Sequence, residues 1–174
     1  MNSVSQNGRN GPSLWEEIRT NSKLAYDNTK PQIIEALKKY DSHQYLINRL
    51  SKNGQRYLFY TVSEALKRDL PVELSLIPFI ESQFDPYAQS STGASGIWQF
   101  IPSTALENGL KKNWWYDARR DIVASTNAAY NFLVKLNEEH DDWLIAIAAY
   151  NAGPSRVRKE IRKNKEKGLP TDFW

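Results

Sequence analysis

The sequence predicts an all-α fold, and three observations carry that prediction. Apolar residues recur at three- and four-residue intervals along most of the chain. Helix start and stop signals punctuate these runs: Ser-x-x-Glu at Ser13–Glu16, Pro31, Pro102 and Gly168. No convincing strand pair, internal repeat or heptad seam accompanies them. With 174 residues, 40% of them hydrophobic, the chain suits one domain with a sizeable core and an appended segment. We divide it into a flexible tail over 1–12, an N-terminal helical segment over 13–70, and a principal domain over 71–174.

Ser13-Leu14-Trp15-Glu16 has the spacing of a capping box and opens a first helix running to about Tyr26. Residues 28–31 break it, and Pro31 suits the first turn of a second helix ending near Tyr40. Asp41 or Ser42 caps a third, with Tyr45, Leu46 and Leu50 on one face. After Asn53-Gly54 comes a longer helix in which Tyr57, Leu58, Val62, Ala65 and Leu66 repeat at helical intervals. Asp69-Leu70-Pro71 ends it at a soft boundary. Pro71 to Phe84 reads as one helix kinked at Pro78, and Asp85 to Ser95 as a loop. A short helix runs from Pro102 to Gly109, followed by the aromatic string Trp114-Trp115-Tyr116. Helices near 121–138, 142–150 and 155–167 complete the chain, with Gly168 placed as a C-terminal cap.

Composition narrows the chemistry. There are no cysteines, which excludes disulfides, thiolate metal sites and cysteine nucleophiles. His43 and His140 both lie among polar residues, so no metal site is expected. Net charge is +3, with lysines and arginines gathered from Arg156 through Lys167. This run reads as a solvated helix face or as an attraction for a polyanion. No nucleic-acid motif or interleaved aromatic accompanies it, so nucleic acid is not expected as a partner. No stretch approaches the roughly 20 apolar residues of a membrane span. Residues 1–12 are polar and lack the apolar core of a signal peptide, so an export signal or anchor would lie outside this chain.

Glu81 is the most informative acid. In a helix over 71–84, residues Ile77, Ile80, Glu81 and Phe84 fall at i, i+3, i+4 and i+7, so the carboxylate lies on the apolar stripe. Burial disfavours the anion and raises the pKa, as a general acid for glycosidic cleavage requires. Glu64 and Glu73 lie beside polar neighbours and read as ordinary surface residues. Gly93 and Gly96 allow the backbone to approach a ligand closely. Trp98 offers a flat face for a sugar ring, and Gln99 an amide that both donates and accepts. A tight turn over a core tryptophan accounts for the same residues equally well. Likewise Tyr150-Asn151 reads either as part of a site or as a capped helix terminus.

Taken in order, Glu81-Ser82, Gly96 to Gln99 and Ala149-Tyr150-Asn151 resemble the catalytic domain of lytic transglycosylases of the soluble-lytic-transglycosylase class. The intervening strings 113–117, 119–121, 124–126 and 171–174 strengthen the likeness, which covers nearly all of the chain after the tail. The resemblance implies a lysozyme-like, goose-type helical catalytic domain. It implies that Glu81 is the catalytic acid and then base, and that Ser82 orients the glutamate or substrate. Gly96, Trp98, Gln99, Phe100, Tyr150 and Asn151 would form the saccharide groove, with Tyr150 hydrogen-bonding near the Glu81 carboxylate. Trp98 stands where the broader class often has methionine. Relatives continue beyond an Asp-Phe-Trp string into a further helix that helps close the groove.

The implied substrate is the glycan strand of peptidoglycan, acted on in the periplasm or cell envelope by a monomer without metal or cofactor. Glycosidases usually pair two carboxylates, yet Pro86 pushes Asp85 off the helix face. Asp117 and Asp121 flank Arg119-Arg120 and read as salt-bridged or capping groups. One buried glutamate suits the non-hydrolytic cleavage that the resemblance implies, in which the sugar's own C6 hydroxyl attacks C1 and leaves a 1,6-anhydro end. The alternatives are a goose-type lysozyme-like hydrolase and a non-catalytic glycan-binding module.

Overall fold

The structure, a computed structural model, describes residues 13–25, 27, 29–41 and 54–174. The expected tail over 1–12 and the third helix near 42–50 lie outside the described residues. Eight α-helices and one 3₁₀ helix are present among them: α1 Leu14–Thr20, α2 Pro31–Asp41, α3 Gln55–Lys67, the 3₁₀ helix Val72–Leu76, α4 Ile77–Ser82, α5 Pro102–Glu107, α6 Ile122–His140, α7 Trp143–Ala152 and α8 Pro154–Glu166. Strand-like pairing among the described residues is limited to isolated bridges, Gln89 with Ser95, Ser95 with Phe100, and Lys112 with Asp117. No helix among them is long and apolar enough to cross a membrane.

Local signals open and close many of these helices. The capping box forms, with Glu16 N donating to Ser13 Oγ at 3.3 Å and Ser13 N to the Glu16 carboxylate at 2.6 Å. Asp121 accepts from Ala124 N, and Asp142 from Leu144 N and Ile145 N, at the starts of α6 and α7. At the end of α8, Gly168 has φ 65° and the paired bonds Leu169 N to Asn164 O and Gly168 N to Lys165 O. This is a Schellman motif.

The first helix is shorter than its pattern predicts, ending at Thr20. The cause is tertiary. The Glu73 carboxylate accepts from the Ser22 hydroxyl and from Lys23 N and Leu24 N, both at 3.0 Å. These contacts hold the chain extended where the helix would have continued. Glu73 is therefore a tether between distant segments, not an ordinary surface acid. Burial works to raise its pKa, but the hydrogen bonds it accepts win and hold it below the usual glutamate range. Glu64 is likewise engaged, with Lys67 at 2.8 Å and Arg68 at 3.7 Å.

The core gathers α3, the 3₁₀ helix, the loop after α4, and α6. Leu58, Val62 and Ala65 on α3 meet Val72, Leu74, Phe84, Ile97, Trp98, Tyr130 and Leu133, all nearly or fully buried. The Tyr130 hydroxyl donates to Thr61 O at 2.7 Å, tying α6 to α3 across 69 residues. Segments on both sides of the boundary expected at Leu70–Pro71 thus share this core. The α6–α7 pair packs closely because Ala146 and Ala149 present no bulk to Leu136. Asp141, at φ 50°, makes the sharp turn between them.

Residues 71–84 do not form one kinked helix. Pro78 lacks an N–H and fits the first turn of a new helix, so the 3₁₀ helix ends and α4 begins beside it. Gln83 and Phe84 then take φ of 55° and 58°, ending α4, with Phe84 N donating back to Pro78 O at 3.2 Å. Ile80 is 60% exposed and Phe84 is buried from outside the helix. The apolar stripe inferred for Glu81 does not exist in that form.

Candidate active site

Glu81 sits in the last turn of α4, half-buried, at the edge of a cleft of about 250 Å³. Gln99, Phe100 and Thr104 line one wall, and Phe132, Tyr150 and Asn151 the other. The Asn151 amide Nδ2 donates to Glu81 Oε1 at 3.3 Å, leaving Oε2 for a proton. Burial raises the Glu81 pKa, and the Asn151 hydrogen bond opposes it without cancelling it. The expected full burial gives way to half-burial, since Glu81 must face the cleft.

Two α7 residues approach α4 because Asp142 starts α7 and Gly153, at φ 92°, ends it beside the cleft. Tyr150 packs edge-on against Trp98 and Phe100, with centroids 6.4 and 6.1 Å away. Its hydroxyl donates to Trp98 O at 2.7 Å, not to the Glu81 carboxylate. Burial pushes the phenol well above its usual pKa, and the nearby Glu81 charge adds to that. Tyr150 is therefore a fixed hydrogen-bond donor that anchors the opposite loop.

That loop carries Gln99, whose φ is 50°. Its Nε2 donates to Ala88 O at 3.2 Å and Gly96 O at 2.8 Å. Both amide hydrogens are spent, so toward the cleft Gln99 offers its Oε1 as an acceptor.

Three expected site residues do not line the cleft. Trp98 is fully buried, its Nε1 donating to Thr126 Oγ1 at 3.0 Å and its ring edge-on to Tyr130 at 5.3 Å. No face is left for a sugar, so the core-tryptophan alternative holds. Gly96 is also buried, and the group that approaches it is backbone, not ligand: an added Cβ would lie 1.8 Å from Arg119 O. Ser82 Oγ shares its one hydrogen between Pro78 O at 3.1 Å and Ile97 O at 2.9 Å. It fastens the end of α4 to the loop over 96–99 and so positions Glu81 indirectly.

Sequence reasoning missed Arg119. Its guanidinium is buried, forms an ion pair with Asp117 at 2.7 Å, and donates to Gly93 O at 2.7 Å and Phe100 O at 3.1 Å. It clasps both ends of the loop that presents Gln99. The Asp117-x-Arg119 spacing was the available signal, and it suggested only a local ion pair. Asp117 and Asp121 do act as salt-bridge and capping groups. Asp85 accepts from Tyr87 N at 2.9 Å in a turn.

A family profile described as the transglycosylase SLT domain matches residues 61–172. The chain belongs to the SLT domain family. Membrane-bound lytic murein transglycosylase D of Escherichia coli K12 is 43% identical over 162 residues, covering 92% of this chain and 36% of that protein. A protein from Alteromonas, named for tributyltin chloride resistance, is 44% identical over 124 residues, 71% of this chain and 60% of its own length. Membrane-bound lytic murein transglycosylase F of Desulfosudis oleivorans is 32% identical over 108 residues, 58% of this chain and 22% of that protein. The chain thus spans only part of each relative. The SLT match begins at Thr61 within α3, whose buried face shares the core with Trp98 and Tyr130.

The raised pKa of Glu81 makes a stability prediction. A carboxyl that binds its proton more tightly when folded adds stability below its unfolded pKa, roughly 4.3. That stability is lost as pH rises through the higher folded value. Glutamine does not titrate, so Glu81→Gln is expected to gain in melting temperature relative to wild type as pH rises from about 4 to 7. Thermal unfolding of both proteins across that range measures it. A relative loss with rising pH would mean the carboxylate is held in a structural ion pair.

Proposed function

We propose that this chain cleaves the β-1,4 bond between N-acetylmuramic acid and N-acetylglucosamine in peptidoglycan without water, leaving a 1,6-anhydro end. The observation that carries this reading is that Glu81 is the only carboxylate among the described residues lining the cleft. Enzymes that hydrolyse glycosides usually place a second carboxylate opposite the first, as nucleophile or to activate water. With one, acid and base duties fall to the same group in sequence. The names of the relatives support the substrate class.

In this mechanism protonated Glu81 gives its proton to the bridging oxygen, and the C1–O bond breaks. The substrate's N-acetyl oxygen stabilises the positive charge at C1. Glu81, now a carboxylate, takes the proton of the C6 hydroxyl as that oxygen bonds to C1. Desolvation keeps Glu81 protonated for the first half and makes its carboxylate the stronger base in the second, while the Asn151 hydrogen bond steadies the anion formed between them. Intramolecular attack gains from an effective concentration far above that of an unpositioned nucleophile. Gln99, Phe100, Tyr150 and Asn151 form the saccharide groove, while Ser82, Gly96 and Trp98 shape it from behind. The site of action is the cell envelope, and the acting species is a monomer.

Mass analysis of digested peptidoglycan tests the reading. The expected muropeptides end in 1,6-anhydro-N-acetylmuramic acid, one water lighter than hydrolysis products, and take no label from heavy-oxygen water. Solvent oxygen at the reducing ends would make the chain a hydrolase. Binding without cleavage would make it a glycan-binding module.

A further inference from the structure

A second groove, sharing no lining residue with the Glu81 cleft, lies between the loop after α4 and the loop before α6. At about 550 Å³ it is the larger of the two. Trp114 and Trp115 on its wall are each 90% exposed, Tyr87 is 76% exposed and Tyr116 46%. Folded chains rarely leave so much clustered aromatic surface in water without a partner for it.

The backbone that carries Trp114, Trp115 and Tyr116 is held in place. Asn113 Oδ1 accepts from Trp115 N at 2.9 Å and Tyr116 N at 2.8 Å, and Asn113 N donates to Tyr116 O at 2.8 Å. The Tyr116 hydroxyl donates to Asp121 at 2.9 Å, and Ala118 N closes the loop onto Lys111 O at 2.9 Å. A ligand therefore meets a preformed surface and need not order a loose loop.

We propose that this groove is an accessory binding site for a β-1,4-linked N-acetylhexosamine strand. Its apolar surface is aromatic rather than aliphatic, and charged groups interleave with the rings: Lys112, Arg120 and Asp117 all reach it. A sugar presents the matching pattern, with an apolar C–H face to stack on a ring and hydroxyls and amides at its edge for polar neighbours. Apart from Pro86 and Ile122, the apolar part of the lining is aromatic, which suits stacking against the flat faces of successive sugars.

Position also favours a strand. Pro86 and Tyr87 wall this groove, and the next residue, Ala88, accepts the Gln99 amide that helps line the Glu81 cleft. One short loop thus backs both surfaces, and a strand long enough to reach both would engage them together. Holding it at the second raises its effective concentration at the first. The choice of glycan rests on the function proposed above, whereas the existence of a saccharide site rests on the groove itself.

The test is made in a Glu81→Gln background, where strands are bound and not cut. Retention on insoluble peptidoglycan and calorimetric titration with N-acetylglucosamine oligomers are measured for Trp114→Ala/Trp115→Ala and for Trp114→Phe/Trp115→Phe. The alanine pair is expected to weaken binding by about tenfold or more, while the phenylalanine pair keeps most of it. Both indoles point into water, so melting temperature should not move; should the pair unfold, each single alanine substitution reads the same quantity. Unchanged binding in the alanine variants overturns the proposal. So does sedimentation showing a dimer that the alanine pair dissociates while sugar binding persists. If the digests give hydrolytic products or none and the alanine pair still abolishes binding, the groove stands and the catalytic reading falls.

Discussion

Glu81→Gln is expected to lower the rate of peptidoglycan cleavage by about two to four orders of magnitude, the usual contribution of a positioned proton donor and acceptor. The loss falls at the upper end because one group serves both proton transfers. Glutamine preserves shape and a polar contact with Asn151, so folding and glycan affinity should stay near wild type. The measurement is release of soluble muropeptides from purified peptidoglycan, beside strand binding by the same two proteins. A variant retaining more than about a tenth of wild-type turnover would show that Glu81 is not the acid. Equal loss of binding and turnover would instead assign it to substrate holding.

Gly96→Ala is expected to produce the largest stability loss of any Gly→Ala substitution among Gly93, Gly96, Gly109, Gly153 and Gly168. Gly96 has φ 82°, and its Cβ would lie 1.8 Å from Arg119 O and 2.7 Å from Arg119 C, both backbone atoms. Neither can step aside as a side chain would. Relief requires separating the 95–100 loop from residues 118–120, which breaks the Arg119 bonds to Gly93 O and Phe100 O. Backbone strain and overpacking together should cost about 3–5 kcal/mol. At this chain length that lowers the melting temperature by roughly 10–15 °C. Gly93→Ala is the control, because its φ is 81° but its nearest neighbour is Pro102 at 3.9 Å. It should cost only the strain, about 1 kcal/mol. Equal losses for the two substitutions would mean that the Arg119 contact is not what requires glycine at 96. Activity should fall with Gly96→Ala beyond the loss of folded protein, since Gln99 is carried on the displaced loop.

The helical architecture was legible because its signals act over three or four residues. The Ser13–Glu16 box, the Asp142 cap and the Gly168 terminus each satisfy backbone groups within one turn. Such signals need no knowledge of the rest of the chain. The acidic residue in the cleft was legible for a weaker reason: Glu81 follows an apolar run where an unpaired carboxylate is costly. Even there the single helix implied by the spacing is divided at Pro78 and ends before Phe84.

Other features depended on contacts between distant segments, and no local pattern encodes those. Helix α1 stops early because Glu73, some 50 residues away in sequence, takes its next backbone donors. In the loop over 93–100, neighbouring side chains follow no period, so exposure could not be read from spacing. Trp98 went inward because Thr126, 28 residues on, supplies the partner its indole N–H needs. Gln99 stayed at the cleft because Ala88 O and Gly96 O take up its two hydrogens. Phe132 entered the site only when α6 and α7 packed side by side. The sequence by itself determined where most of the helices begin and which acid to watch. The tertiary structure alone decided which aromatic rings meet solvent and which backbone the glycine must admit, because both are set by segments that touch only after folding.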